Sequence, residues 1–132
     1  MRVLIINPNS DQETADVLSK TAQSFLEDRG EFDVVSMRTA PKLVVTYEDQ
    51  AASAMELIAT VRAGRERYDA FILACHADPN LDLVREVAGG KPVFGIAEAS
   101  MRMAAMLHGG YAVITPSEKI IPKKFALARK YH

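Results

Sequence analysis

The chain contains a single cysteine, Cys75, so it cannot close an internal disulfide, and no cluster of Cys and His at metal-ligand spacing suggests a structural zinc site. No apolar run approaches the roughly 18 residues of a membrane span. The start Met1-Arg2-Val3-Leu4-Ile5-Ile6 leads directly into a candidate strand with no cleavage signal behind it. These absences lead us to expect a soluble, cytoplasmic protein with no membrane partner. Neither sign of charge dominates: 16 basic and 17 acidic side chains leave a formal net charge of -1, so no positive field invites nucleic acid. There is also no Gly-x-Gly-x-x-Gly, no Walker loop and no acidic pair of the phospho-acceptor kind, which removes most support for dinucleotide, nucleoside triphosphate and phosphorelay roles. Internal repeats, low-complexity tracts and linkers are missing too. With 132 residues, 48% of them hydrophobic, the chain has material for one core, and a single domain over 1–132 is expected.

What is present is an alternation of short β-branched runs with longer segments of helical period, the pattern of repeated βα units on a parallel sheet. The strand candidates are Arg2 to Ile6, Phe32 to Met37, Ala70 to Ala74, Pro92 to Ile96 and Tyr111 to Thr115. Between them Val17, Leu18, Thr21, Ala22, Phe25 and Leu26 recur at helical spacing, as do Met55, Ile58, Ala59 and Arg62, and then Met101, Ala104, Ala105 and His108. Each set is expected to face the sheet, and Met103 and Met106 are read as packing residues. Gly30, Gly64 and the pair Gly109-Gly110 fall where helices should stop. The expected class is α/β: a flavodoxin-like open parallel sheet of about five strands, ordered 2-1-3-4-5, with helices on both faces and ligands at the carboxyl ends of the strands.

That geometry directs attention to the turns after the strands. Asn7-Pro8-Asn9-Ser10 precedes a helix that can open with the box Ser10-Asp11-Gln12-Glu13. It reads either as a cap alone or as a cap that also offers amides, and the Asn9 side chain, to a carboxylate or ring carbonyl. The run Ala70 to Ala74 delivers Cys75 to the rim of the sheet, as a small buried residue or as a thiol whose acidity a cation or helix end can tune toward neutrality. His76 follows, although consecutive strand residues point to opposite faces. Asp78, before Pro79, most simply caps a helix beginning near Asn80. In Gly95-Ile96-Ala97-Glu98, Glu98 is either a solvated first-turn carboxylate or a group turned toward the thiol. His108 reads as a helix-end residue, Thr115-Pro116-Ser117-Glu118 as a second capping box, and Pro122 as an interruption of the helix that follows.

Four of these stretches, in order, carry a resemblance: Asn7-Pro8-Asn9-Ser10, Ala74-Cys75-His76-Ala77-Asp78-Pro79-Asn80-Leu81, Gly95-Ile96-Ala97-Glu98-Ala99 and Ala112-Val113-Ile114-Thr115. Together they resemble the Asp/Glu/hydantoin racemase superfamily, on its hydantoin and allantoin branch, over nearly the whole chain. The resemblance implies a racemase or epimerase that needs no cofactor and no metal, with two similar domains facing a cleft and one cysteine from each acting on opposite faces of the substrate's α-carbon. It implies that Cys75 is the first of those cysteines. Asn9, Ser10, His76, Glu98 and Thr115 are then the substrate-binding set, for a small molecule carrying a carboxylate or a ring carbonyl. Inversion by proton transfer needs one group to remove a proton and another to return one from the far side, with the enolate oxygen stabilised between them.

The chain departs from the family pattern in lacking the later Gly-Cys-rich motif that holds the second cysteine. It is expected to be an amino-terminal portion, with residues 116–132 as the crossing into a second domain. Asn80 stands where the family usually has glycine, and Pro116 where a second threonine is common. A non-catalytic small-anion-binding or interaction module of the same fold is the competing expectation. A small cysteine hydrolase trails, because no suitably spaced His and acid accompany Cys75. If an apolar face is left uncovered, self-association into a homo-oligomer is expected.

Overall fold

The computed structural model describes residues 1–26 and 29–131, and its strands lie on the short runs rich in apolar and β-branched residues. β1 (Arg2–Asn7), β2 (Glu31–Ser36), β3 (Ala70–Leu73) and β4 (Val93–Gly95) form one all-parallel sheet in the order β2-β1-β3-β4. Between and after them come α1 (Gln12–Leu26), α2 (Tyr47–Gly64), α3 (Leu81–Val87), α4 (Ile96–His108) and α5 (Ile121–Tyr131). The chain crosses from β1 to β2 on one side and returns to place β3 on the other, so the strand order reverses between β1 and β3. Loops leaving neighbouring strands at such a reversal diverge and open a crevice. The turns containing Asn9 and Cys75 leave from this place.

Side-chain alternation along β1 divides the interior in two. Leu4 and Ile6 join Phe71, Leu73 and Val93 beneath Leu57 and Val61 of α2 and Val84 of α3. Val3 and Ile5 face the other way, with Ala70 and Ala74, against Leu18 and Ala22 of α1. The α/β class, the parallel open sheet and the helices on both faces therefore match the sequence expectation. No helix among the described residues is long and apolar enough to cross a membrane.

The helix faces are corrected in detail. On α2 the buried stripe is Ser53, Leu57, Val61 and Gly64, while Met55 of the expected stripe is 74% exposed. Small residues decided this. A Cβ at Gly64 would stand 3.1 Å from both the Phe71 and Tyr68 rings, so Gly64 serves close packing rather than left-handed backbone, and α2 continues into a right-handed Arg65. On α1 Val17 and Phe25 are exposed, as are Met103 and Met106 on α4, so these four do not pack in the core. Gly109 ends α4 in the left-handed region, at φ 66°, as expected, with His108 exposed just before it. The first cap is shifted by one position: Asp11, not Ser10, accepts from the backbone of Thr14 at 3.1 Å.

The largest departure is the fifth strand. Tyr111 to Thr115 shows period-two burial, but it makes no ladder with β4 and is not a strand. Tyr111 and Val113 instead pack against Ala97, Met101 and Tyr131, which draws the segment into a layer with α4 and α5. Phe94, on the edge strand, is consequently 53% exposed and Ile114 is 98% exposed. The second capping box is also replaced: Ser117 caps a short 3-10 turn, Glu118–Ile120, and Pro122 sits in the first turn of α5, where its missing N–H costs nothing. His132, the end of the expected crossing segment, lies outside the described residues.

Candidate active site

β3 is paired on both edges, so its backbone is fixed up to the Ala74 N–H, which donates to Ile6 O at 2.8 Å. The next residue, Cys75, is half-buried and opens onto a cleft of about 220 Å³, shared with His76, Ala77, Val113, Thr115 and Lys124. Cys75 is neither fully buried nor fully exposed. Burial pushes the Cys75 thiol up, against a hydrogen bond from the Ala77 amide and the charge of Lys124, with Asp78 adding to the rise. The expectation of a thiol tuned toward neutrality is thus corrected for the unliganded chain: desolvation outweighs the cation.

The rest of the turn is ordered by Asp78, which is buried at φ 43°. It does not cap the helix that follows it. That helix, α3, begins at a left-handed Asn80 with no side-chain cap, whereas the Asp78 carboxylate accepts from Ala97 N at 3.0 Å and Glu98 N at 2.8 Å, the exposed amides of α4. Tyr131 of α5 donates its hydroxyl to the same carboxylate at 2.8 Å, and burial together with that bond pushes its phenol up, keeping it protonated. Asp78 therefore ties the thiol turn to both α4 and α5. Gly95 makes the approach possible, since a Cβ there would stand 2.5 Å from Asp78 Cγ.

His76 is held at both ring nitrogens. Lys124 Nζ lies 3.0 Å from Nδ1 and also donates to the His76 carbonyl. Ser100 Oγ lies 3.2 Å from Nε2 and 3.1 Å from the Ala97 carbonyl. An ammonium has donors only, so Nδ1 accepts and Nε2 carries the proton toward Ser100. This side chain shares the cleft with Cys75 despite its adjacency in sequence, because the chain has left β3 and strand alternation no longer applies.

Thr115 also lines the cleft, and its buried Oγ1 has no hydrogen-bond partner among the described residues. Asn9 and Ser10 occupy the neighbouring turn but do not line the cleft. The Asn9 Oδ1 accepts from Asn7 Nδ2 at 2.7 Å and from Asp11 N at 2.9 Å, and the Ser10 N–H donates to Pro41 O at 3.2 Å. Glu98 is held elsewhere, between Arg85 at 2.5 Å and Arg102 at 3.0 Å. Among the described residues no three His, Cys, Asp or Glu side chains converge to hold a metal ion.

Burial would raise the Glu98 carboxyl, but its bonds to the two arginines outweigh it and hold the group below the usual range. A depressed carboxyl contributes stability above its unfolded pKa that is lost as pH falls through the folded one. Glu98→Gln is therefore expected to flatten the stability profile below about pH 4, read from urea midpoints across an acid series.

Lys124 is the residue that sequence reading missed. Its place in Lys123-Lys124 on a terminal amphipathic helix signals only a solvated face. Nothing local shows that α5 turns this amine back onto a residue 48 positions earlier.

The chain matches the family model described as Asp/Glu/Hydantoin racemase over residues 3–127. It is 34% identical over 121 residues to a hydantoin racemase of Pseudomonas sp. (strain NS671), covering 91% of this chain and 48% of that one. A hydantoin racemase of Paenarthrobacter aurescens is 32% identical over 117 residues, covering 87% and 49%. Among solved structures, the allantoin racemase from Klebsiella pneumoniae superposes with a TM-score of 0.92 at 31% identity, over 99% of this chain and 54% of that one. The allantoin racemase from Pseudomonas fluorescens, at 21% identity, shares the fold with a TM-score of 0.89. The chain spans about half the length of the curated relatives it matches.

Proposed function

Because the chain belongs to the Asp/Glu/hydantoin racemase family, we propose that it supplies one proton-transfer half of a cofactor-independent racemase or epimerase acting on a hydantoin-like or amino-acid-like substrate. The observation that carries this reading is the Cys75 sulfur at the carboxyl end of a central strand, at the mouth of a cleft beside the strand-order reversal. In its thiolate form Cys75 takes the α-proton of the bound substrate and becomes the thiol, leaving a planar carbanion whose charge spreads onto the adjacent carbonyl oxygen. Thr115 lines the cleft with a buried hydroxyl that has no partner among the described residues, and turned toward the substrate it would bear part of that charge. Return of the proton from Cys75 restores the starting enantiomer. Inversion needs a proton delivered to the opposite face by a group other than Cys75.

A ligand-binding module with an inert thiol is the second reading, and the raised Cys75 thiol favours it. Incubating hydantoins and amino acids with the chain in heavy water separates the two. We expect α-deuterium to enter the substrate with little or no loss of optical rotation, the mark of a single base working from one face. No incorporation across the panel would favour the binding module.

A further inference from the structure

We propose that Lys124 is the positioning cation of the Cys75 site: its ammonium lies along the cleft wall so that a thiolate can form there, an inference that rests on the proton-transfer reading above. The amine is fixed by two bonds to one residue, the His76 carbonyl and the His76 Nδ1 at 3.0 Å. The ring is fixed in turn by Ser100 on its far side, at 3.2 Å. Held this way, the part-buried lysine lines the same cleft of about 220 Å³ as Cys75. A buried thiolate is unfavourable unless an opposite charge stands near it, and the surroundings offer this one. Cys75 is faced by Lys124 from α5 and by His76 and Asp78 from its own turn, and Asp78, being negative, opposes ionisation. That carboxylate already accepts from two α4 amides and from Tyr131.

Lys124 is faced by Cys75, His76 and Asp78. The other nearby lysines of α5 are turned away, Lys123 toward the Val45 carbonyl and Lys130 onto Asp82 at 2.6 Å. The coupling is reciprocal, as any pair of interacting charges requires. Burial pushes the Lys124 ammonium down, and the Cys75 thiolate and the Asp78 carboxylate pull it back up.

The test is the pH dependence of Cys75 alkylation by iodoacetamide in the full chain, which measures thiolate directly and needs no substrate. Lys124→Met is expected to move the midpoint up by about one pH unit, close to a tenfold loss of thiolate at neutral pH, while Lys124→Arg restores most of it. A midpoint that stays in place in a folded Lys124→Met chain would overturn the proposal. If that variant does not fold, the reciprocal titration decides. In Cys75→Ser, the Lys124 midpoint, followed by NMR of isotope-labelled lysine, should fall relative to the native chain, and an unchanged value overturns the proposal equally. A native chain that exchanges no substrate protons but shows these shifts would refute the racemase reading and leave the lysine's role standing.

Discussion

Cys75→Ser is expected to lower α-proton exchange into substrate by at least about a hundredfold, the ordinary contribution of a positioned base, while leaving the fold intact. Serine matches the thiol closely in size, so the cleft keeps its shape. Its hydroxyl ionises far above the thiol range and cannot act as the base. The native chain should also show a sign in its pH profile. Because burial pushes the thiol up, the reactive thiolate is a minor species at neutral pH, and exchange should climb as the solution becomes alkaline, through and beyond the ordinary thiol range. Deuterium incorporation by NMR, for both chains from neutral to alkaline pH, measures both effects. Full-strength exchange in Cys75→Ser would end the proposed role of the sulfur.

Asp78→Ala is expected to destabilise the chain by about 3 kcal/mol, more than a surface cap and comparable to a core deletion. Three donors lose their acceptor at once: the Ala97 and Glu98 amides at the start of α4 and the Tyr131 hydroxyl of α5. Ala97 and Tyr131 are buried, so water does not readily replace the carboxylate. The substitution also leaves a void against Gly95, where the backbone approached closely to meet the side chain. Asp78→Asn keeps one oxygen acceptor and should cost clearly less. Urea unfolding of the three chains tests the ranking, and a loss under about 1 kcal/mol in Asp78→Ala would show that this carboxylate does not hold the layers together.

The two substitutions separate kinds of residue that a linear reading places side by side in Cys75-His76-Ala77-Asp78. The thiol stands at the cleft, and the carboxylate three positions later secures elements distant in sequence. Reading Asp78 as the cap of α3 follows the usual local rule, since a carboxylate before Pro79 commonly caps the next helix. The rule fails because Asn80 takes a left-handed conformation, which starts α3 without a side-chain cap, while α4 presents bare amides nearby. A similar contest decided Glu98. From the sequence it was either a first-turn carboxylate or a group aimed at the thiol, and Arg85 on α3 and Arg102 one turn along α4 hold it in ion pairs.

The alternation of strands and helices, the reach of β3 to a cysteine at its carboxyl end and the likeness to the racemase family are all legible in the linear chain. These depend on burial period and local motifs, which neighbouring residues carry between them. The closed fold alone reveals that the Tyr111 to Thr115 segment packs with α4 and α5 instead of extending the sheet, that Asp78 joins α4 to Tyr131, and that Lys124 shares the cleft with Cys75. The physical reason is range. Each of these contacts joins residues far apart in the chain, and a charge, hydroxyl or short β-like run takes its partner from whatever the closed fold brings within a few ångströms.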